Sequence, residues 1–386
     1  MKKKQFKVTL KGTALTIAGA SLLIMASCGG STKTSGTTDS TATSSTAATD
    51  TLAKATIVKP TGAAPAWAPD IKPEMQAVIE KLVSYGDKPT EQLTPQQARK
   101  NHTPTDAVMD LMVAHNIKAP SPLCDTTGRD IPVDGGKIHL RIYTPKTGAG
   151  PFPVIVYYHG GGFVIADLDV YNASAQGFSD MVGAVVVSVA YRLAPEFKFP
   201  TAHQDAFTAY QWVLNNAASI KGDPKMVAVA GESAGGNLAA NVSIMARDAK
   251  IMVPVHEVLI YPVANSDMNS ASYVKNANAK PLSKAMMAWF VKYYLKDMSQ
   301  AKDPRISLVN ANLKGLPPTT LITDEIDPLQ SEGMLLGDKL KAAGVTVDAK
   351  NYDGVTHEFF GMGIIVPQAK DAETFASDQL KKAFKK

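Results

Sequence analysis

Cysteine is almost absent from this sequence, which has only Cys28 and Cys124 in 386 residues. Two cysteines cannot build the disulfide framework of a small secreted scaffold, and a lipid on Cys28 would leave Cys124 without a partner. Residues 120–125, which include Cys124, are predicted to form a loop in which no neighbouring side chain supplies a base. We therefore assign Cys124 a structural role and exclude both a disulfide scaffold and a cysteine nucleophile.

Outside the N-terminal segment, the chain has no excess of basic over acidic residues. The formal net charge is +5, with 40 basic residues against 35 acidic residues. Residues 1–27 contain five lysines and no acid, so the rest of the chain is neutral. Binding to nucleic acid depends on a basic surface that neutralises phosphates. The composition therefore predicts no nucleic-acid partner.

The N-terminal apolar stretch is too short to span a bilayer. It covers residues 15–26, whereas a transmembrane helix needs roughly 20 residues. A lysine-rich start precedes it, and Cys28 comes directly after Met25-Ala26-Ser27, an arrangement that resembles a bacterial lipobox. We expect residues 1–27 to be a signal peptide and Cys28 to be lipid-modified, so that the protein is exported and lipid-anchored to a bacterial membrane facing the periplasm or the exterior. An uncleaved anchor and a plain signal peptide are the alternatives.

Aromatic residues are missing from residues 29–64, which consist mainly of Ser, Thr, Ala and Gly. Such a composition cannot bury enough apolar surface to fold, so we expect residues 28–66 to be a disordered tether. Cap helices are predicted within residues 67–118. Residues 119–386 are predicted to form one catalytic domain with a cap insert at about 265–309.

The cap segments are recognised by their apolar spacing. A helix that opens at Pro73 has apolar residues at Met75, Val78, Ile79 and Leu82, which fall on one helical face. Thr-Pro pairs at 94–95 and 103–104 are typical of helix starts. The insert at 265–309 carries an apolar, aromatic stretch that is predicted to be helical and apolar nearly all round. Together the two segments are expected to form a lid over the sheet.

From Ile138 onward, strand-like apolar runs alternate with helical stretches. Short buried runs separated by helices are typical of a parallel sheet that is covered on both faces. The sequence therefore predicts an α/β fold. After the alternating strand at 138–142, the predicted strands are 154–158, 184–190, 226–230, 255–261, 319–323 and 346–351, and the predicted helices lie near 202–215, 236–247, 329–343 and 369–384.

A sharp turn between a strand and a helix is predicted around Ser233. The sequence GESAG at 231–235 follows one predicted strand and opens the next helix. Such a turn exposes a nucleophilic serine oxygen, and flanking glycines allow the close packing that it requires. The helix N-terminus also favours developing negative charge. Ser233 is therefore the predicted nucleophile.

A serine hydroxyl becomes a good nucleophile when a base takes its proton. In an α/β hydrolase the acid and then the histidine follow the serine, each after a later strand. His357 follows the last predicted strand and is the predicted base. Asp324 and Asp327 both follow the strand at 319–323, and the spacing alone leaves the choice between them open.

Three consecutive glycines follow the predicted strand at 154–158, in the sequence HGGGF at 159–163. Their backbone N–H groups can converge on an oxyanion, as in lipases and esterases. A plain flexible turn and a phosphate-binding loop are the alternatives. The chain has no Lys-Ser/Thr pair after these glycines and no dinucleotide-binding glycine pattern, which argues against a nucleotide.

These motifs resemble the hormone-sensitive-lipase-like family of α/β hydrolases, in its bacterial esterase branch. The resemblance covers about residues 67–386 and implies a mostly parallel eight-stranded sheet, helices on both faces, and a helical cap. It also implies Asp327 as the acid, because the family's acid precedes Pro-Leu. The motifs that carry it are HGGGF at 159–163, YRLAPE at 191–196, GESAGG at 231–236, DPL at 327–329 and His357.

The resemblance further implies an oxyanion hole formed by the N–H groups of Gly161, Gly162 and Ala234. Two positions differ from the commonest family pattern: Glu232 replaces Asp, and Glu358 stands where Gly is commoner. No cofactor is implied. The other histidines lack the spacing of metal ligands, so no metal site is predicted.

The predicted function is hydrolysis of short-acyl or small aromatic carboxylic esters through an acyl-enzyme on Ser233. The partner is then a small-molecule ester. An amidase or an acyltransferase could use the same three residues. A ligand-binding protein on a disabled hydrolase fold is the alternative from another class, but the sequence retains a nucleophile, a base and an acid.

Overall fold

A computed structural model of the protein describes residues 58–385. One eight-stranded sheet contains every strand in this part of the chain. The strands are β1 (Cys124–Val133), β2 (Gly136–Pro145), β3 (Phe152–Tyr158), β4 (Val185–Ala190), β5 (Gly222–Glu232), β6 (Glu257–Ile260), β7 (Thr319–Ile326) and β8 (Val347–Thr356). Their order across the sheet is β1-β2-β4-β3-β5-β6-β7-β8.

The helices precede, separate and follow these strands. They are α1 (Pro73–Ser84), α2 (Pro95–Ala98), α3 (Pro104–Ala114), α4 (Asn172–Val182), α5 (Thr201–Asn216), α6 (Ala234–Asp248), α7 (Ala271–Lys275), α8 (Lys284–Tyr294), α9 (Gln330–Ala342) and α10 (Pro367–Ala383). Short 3₁₀ turns cover Thr90–Gln92, Ala217–Ile220, Met298–Lys302 and Leu308–Asn310.

The sheet is parallel from β4 to β8 across its order, and β2 is antiparallel to both β1 and β4. Successive residues of β3 enter two different cores. Val154 and Val156 pack in the core that includes α5, α6 and α9, whereas Ile155 and Tyr157 pack in the core that includes α4 and α10. A strand buried on both faces reads as a continuous apolar run. The predicted mostly parallel sheet with helices on both faces is confirmed.

Two elements were not predicted from the sequence. Strand β1 has ten residues, of which only Cys124 and Ile131 are buried, because it lies at the sheet edge. Its mostly exposed sequence therefore lacks the apolar signal of a buried strand. Helix α4 consists largely of small and polar residues, and it buries Ala175, Phe178 and Val182.

Three predicted strands end too early, and in each case the missing part contains a buried polar residue, which is Glu232, Asp324 or Thr356. β5 continues to Glu232, β7 to Ile326 and β8 to Thr356. Because the strands were predicted from runs of apolar residues, the buried polar side chains at their ends interrupted the pattern and the predictions stopped there. Each of the three strands therefore delivers a side chain to the carboxyl edge of the sheet.

The predicted tether boundary at residue 66 is too late. Val58 is buried, and Thr61 and Gly62 donate hydrogen bonds to the Glu80 carboxylate on α1. Residues 58–66 therefore pack on the folded body. Cys28 and the predicted signal peptide lie outside the described residues. From residue 58 to residue 385, no helix is long and apolar enough to span a membrane.

The two predicted cap segments contact each other. The indole N–H of Trp289 on α8 donates to the Leu93 carbonyl at 2.9 Å, beside the turn Thr90–Gln92. Helix α8 is not covered all round, because Ala285, Ala288 and the charged Lys292 are exposed. Its covered side consists of Met287, Trp289, Phe290 and Tyr294. The helix is therefore amphipathic, with one face toward the body.

Candidate active site

Ser233 occupies a strained turn between β5 and α6. Its φ of 57° and ψ of −117° lie outside the conformations that non-glycine residues favour. A Cβ on Gly231 would lie 2.1 Å from the Gly235 oxygen, and one on Gly235 would lie 1.9 Å from the Tyr158 oxygen. Glycine is therefore required on both sides of the serine. The turn holds the hydroxyl at the carboxyl edge of the sheet, as the sequence predicted.

His357 and Asp327 lie on the same edge, after β8 and β7. The Ser233 hydroxyl is 2.9 Å from His357 Nε2, and His357 Nδ1 is 2.7 Å from Asp327 Oδ2. Asp327 also accepts a 2.9 Å hydrogen bond from the Leu329 N–H. The structure thus brings Ser233, His357 and Asp327 into one hydrogen-bonded chain. Asp324 makes no hydrogen bond to His357.

The environment of His357 favours its charged form. Burial lowers the pKa of the imidazole, but the charge and hydrogen bond of Asp327 outweigh burial, and the pKa is raised overall. Negative charge on Glu358 and Glu232 contributes in the same direction. A histidine in this setting can accept a proton from Ser233 and hold it as an imidazolium stabilised by Asp327.

The glycine loop lies beside Ser233. Gly161 and Gly162 have φ values of +94° and +59°, which favour glycine. Among the hydrogen bonds of residues 58–385, none uses the N–H of Gly161, Gly162 or Ala234 as a donor. Because Ala234 is the first residue of α6, its N–H has no partner within the helix. The three N–H groups assigned to the oxyanion hole are therefore available.

His159 supports this loop from behind. Its ring stacks on Tyr191 at 4.4 Å, and its Nδ1 donates to the Gly160 carbonyl at 2.8 Å. The Tyr191 hydroxyl donates to the His159 carbonyl at 2.8 Å. Burial lowers the pKa of His159 to about 4, so the ring is neutral at physiological pH. His159 therefore holds the loop in place and is not a second base.

A buried carboxyl group, that of Glu232, precedes Ser233 in the chain. Glu232 accepts a hydrogen bond from the Tyr157 hydroxyl at 2.5 Å and another from Tyr261, whose ring lies 4.6 Å from that of His357. Burial raises the pKa of Glu232 to about 7. The sequence indicated the departure at Glu232 but gave no signal for its tyrosine partners, which come from β3 and from the residue after β6.

Glu358 has a φ of 66°, which explains why glycine is commoner at this position. Its carboxylate accepts a 3.0 Å hydrogen bond from the Tyr171 hydroxyl and lines the cavity next to His357. Burial is the main cause that raises the pKa of Glu358. The residue is half-buried and does not face bulk solvent freely.

A cavity of about 720 Å³ opens above Ser233 and His357. This volume lies within the roughly 300–1,000 Å³ of small-molecule sites. Both cap segments and the glycine loop line it. A Cβ on Gly162 would lie 2.3 Å from the Phe290 ring, so α8 packs directly against the loop. The apolar lining includes Leu82, Val83, Ile165, Leu193, Val263, Leu282, Met286, Met287 and Phe290.

Asp324, Asp327 and His357 have donor atoms within 4.8 Å of one another. His357 Nδ1 is already engaged with Asp327, which is the geometry of a hydrogen-bonded acid–base pair. The arrangement can activate a hydroxyl nucleophile and stabilise an oxyanion, and neither step calls for a cofactor.

Comparison with known proteins places these residues in a family. A family model described as alpha/beta hydrolase fold matches residues 155–361. The carboxylesterase NlhH of Mycobacterium tuberculosis is 32% identical over 320 residues, covering 82% of this chain and 97% of that protein. The ethyl acetate hydrolase of Pseudomonas putida is 31% identical over 258 residues, covering 66% of this chain and 81% of that protein.

Solved structures agree with the sequence relatives. The hyperthermophilic esterase from the archaeon Pyrobaculum calidifontis superimposes with a TM-score of 0.73 at 35% identity, covering 81% of this chain and 98% of that one. The matched family segment, residues 155–361, spans more than half of the chain and contains Ser233, Asp327 and His357. The chain therefore belongs to the α/β-hydrolase family that includes these esterases.

Proposed function

We propose that this carboxylesterase cleaves small carboxylic esters with Ser233 as nucleophile, His357 as base and Asp327 as the acid behind the histidine. The observation that carries the proposal is the continuous hydrogen-bonded chain from Ser233 Oγ through both imidazole nitrogens to Asp327 Oδ2, at the base of an apolar cavity. The identified relatives include proteins named as a carboxylesterase and an ethyl acetate hydrolase, which supports an ester as substrate.

The reaction begins when His357 Nε2 takes the Ser233 proton and Oγ attacks the ester carbon. The carbonyl oxygen becomes an oxyanion, which the N–H groups of Gly161, Gly162 and Ala234 stabilise. His357 then protonates the alcohol oxygen, and the alcohol leaves. Water, deprotonated by the same imidazole, attacks the acyl-enzyme, and the carboxylic acid is released as Ser233 regains its proton.

An amidase or an acyltransferase would use the same residues. An amide nitrogen requires stronger protonation on leaving than an alcohol does, and acyl transfer requires a bound acceptor that excludes water. The names of the identified relatives favour hydrolysis of esters. A binding role without catalysis would not explain the hydrogen bond between Ser233 and His357.

We expect acyl chains shorter than about eight carbons to be preferred. Each buried methylene contributes roughly 0.8 kcal/mol, about a fourfold gain in kcat/KM, for as long as it finds apolar surface. Phe290 packs against Gly162, and both residues line the cavity together with Ser233. Once the acyl chain fills the cavity, an added carbon finds no further apolar surface or clashes with the wall. The value of kcat/KM therefore peaks and then falls with chain length. Flat aromatic acyl groups, which can contact the same ring, rank second.

The test is kcat/KM for nitrophenyl esters from acetate to palmitate, with a matched nitroanilide for one acyl group. The nitroanilide should react far more slowly than its ester. If the anilide were cleaved faster than the ester, the protein would be assigned as an amidase. Phe290→Ala should shift the optimum toward longer chains, with Tm measured to check that the variant is folded. A steady increase through palmitate, with activation at an oil interface, would indicate a true lipase.

We also propose that the mature protein starts at a lipid-modified Cys28 and is exported. One acyl chain gives only marginal membrane binding, so stable attachment requires the several chains of a bacterial lipoprotein. We expect the protein to partition with membranes, and Cys28→Ser to release it or to block its processing. Mass spectrometry of the N-terminal peptide and membrane fractionation measure both. Recovery of the wild-type protein entirely in the soluble fraction would contradict the proposed localisation.

A further inference from the structure

Asp324 is a buried carboxyl group that the proposed reaction does not use. It lies on β7 and has no exposed surface. Within residues 58–385, neither of its carboxylate oxygens accepts a hydrogen bond, and the side chain within hydrogen-bonding contact is the Asp327 carboxylate. An ionised carboxylate that is buried without a donor carries a large desolvation cost. The ionisation state of Asp324 therefore requires an explanation.

Asp327 faces Asp324, and carboxylate oxygens of the two lie within 4.8 Å of each other. Asp327 accepts hydrogen bonds from His357 Nδ1 and from the Leu329 N–H, whereas Asp324 accepts none. Repulsion between two carboxylates this close in a buried site raises the pKa of one of them, so that it keeps its proton. Because Asp327 accepts two hydrogen bonds, its carboxylate remains ionised, and the proton is on Asp324.

The surrounding charges agree with this division. Burial first, and then the charge of Asp327, raises the pKa of Asp324 well above its usual range. No lysine or arginine in the described part of the chain forms an ion pair with either aspartate, and His357 is the partner of Asp327. The charge of Asp327 also acts on the neighbouring Glu332, Glu358 and Tyr273.

We propose that Asp324 is a positioning residue that remains a neutral carboxylic acid and thereby keeps a single negative charge, on Asp327, behind His357. The proposal deepens the proposed function and rests on it. A second charge at this position would strengthen the hold of His357 on its proton. More of the enzyme would then carry an imidazolium, which cannot accept the Ser233 proton. The neutral carboxyl group also donates a hydrogen bond to the Asp327 carboxylate.

Two variants of similar size test this role. Asp324→Asn is neutral and retains a polar donor, so kcat and the pH at which kcat/KM rises should both match the wild type. Asp324→Leu removes the polar group and should lower kcat by about tenfold, the equivalent of one hydrogen bond to a charged group, with KM unchanged. If the rise of kcat/KM with pH occurred at a lower pH in Asp324→Asn than in the wild type, Asp324 would be charged in the wild type. That result would overturn the proposal. So would wild-type kinetics in Asp324→Leu.

A second measurement does not depend on activity. Infrared difference spectra between the wild type and Asp324→Asn at neutral pH should isolate the C=O stretch of one neutral carboxyl group. Because the pKa of Asp324 is raised on folding, the stability gained from its proton is lost as pH rises. The Tm of Asp324→Asn should therefore exceed that of the wild type by an amount that grows with pH. An absent band, or a Tm difference that does not change with pH, overturns the proposal. An inactive wild type that still shows the band would refute only the esterase function.

Discussion

Ser233→Ala is expected to lower kcat for ester hydrolysis by about 10⁴- to 10⁶-fold, the range measured when triad members are removed from serine proteases. The substitution removes the oxygen that attacks the ester and leaves the oxyanion donors in place. Because alanine and serine are equally strained at a φ of 57°, the turn between β5 and α6 should keep its shape. The loss should therefore fall on kcat, with folding intact.

Labelling by a fluorophosphonate measures the same nucleophile without a substrate. The wild type should become covalently labelled, and Ser233→Ala should not. Ser121→Ala is the matched control, because Ser121 is exposed and lies in the loop before β1. His357→Ala should lose labelling as well, since the serine oxygen would lack its base. Labelling that survives in Ser233→Ala would place the nucleophile elsewhere, and an unlabelled, inactive wild type would favour the binding-protein alternative.

Motifs that depend on local backbone geometry could be read from the sequence. Gly231 and Gly235 mark the turn because any side chain there would collide with backbone atoms about 2 Å away, as the distances of 2.1 and 1.9 Å show. The glycine loop at 159–163 follows the same logic, with positive φ at Gly161 and Gly162. In each case the constraint lies within a few residues, so a short motif records it.

Features set by long-range burial could not be read in this way. The end of β7 was missed because Asp324, a polar residue, is buried there. Val58 lies beyond a Ser- and Thr-rich stretch, and only the folded body shows that it is buried. Strand β1 is held by its pairing with β2, which its exposed sequence does not reveal. Propensity and periodicity describe local preference, whereas these positions depend on residues far along the chain.

The choice between Asp324 and Asp327 combines both kinds of information. From the sequence, both follow the same strand, and only the resemblance to a known family favours Asp327. In the structure, Asp327 Oδ2 lies 2.7 Å from His357 Nδ1, whereas Asp324 makes no hydrogen bond to His357. The strand β7 ends at Ile326, between the two residues, so Asp324 lies on the strand and Asp327 lies in the loop that follows it. The two aspartates should therefore respond very differently to the same substitution.

Asp327→Asn is expected to lower kcat by about 10⁴-fold, the loss seen when the triad aspartate of a serine protease is replaced by asparagine. An asparagine can present its NH₂ group to Nδ1, which favours the tautomer that carries its proton on Nε2. That tautomer cannot accept the Ser233 proton. The imidazolium that forms during attack would also lose the charge that stabilises it.

The pH profile of Asp327→Asn gives a second, independent result. Burial lowers the pKa of His357, and Asp327 is the main group that raises it. Without the Asp327 charge the pKa should fall, so the residual kcat/KM should reach its plateau at a lower pH than in the wild type. Asp324→Asn is the matched control, with the same chemical change three residues away and an expected profile like that of the wild type. A severe loss in Asp324→Asn with near-normal activity in Asp327→Asn would reverse the assignment and make Asp324 the acid.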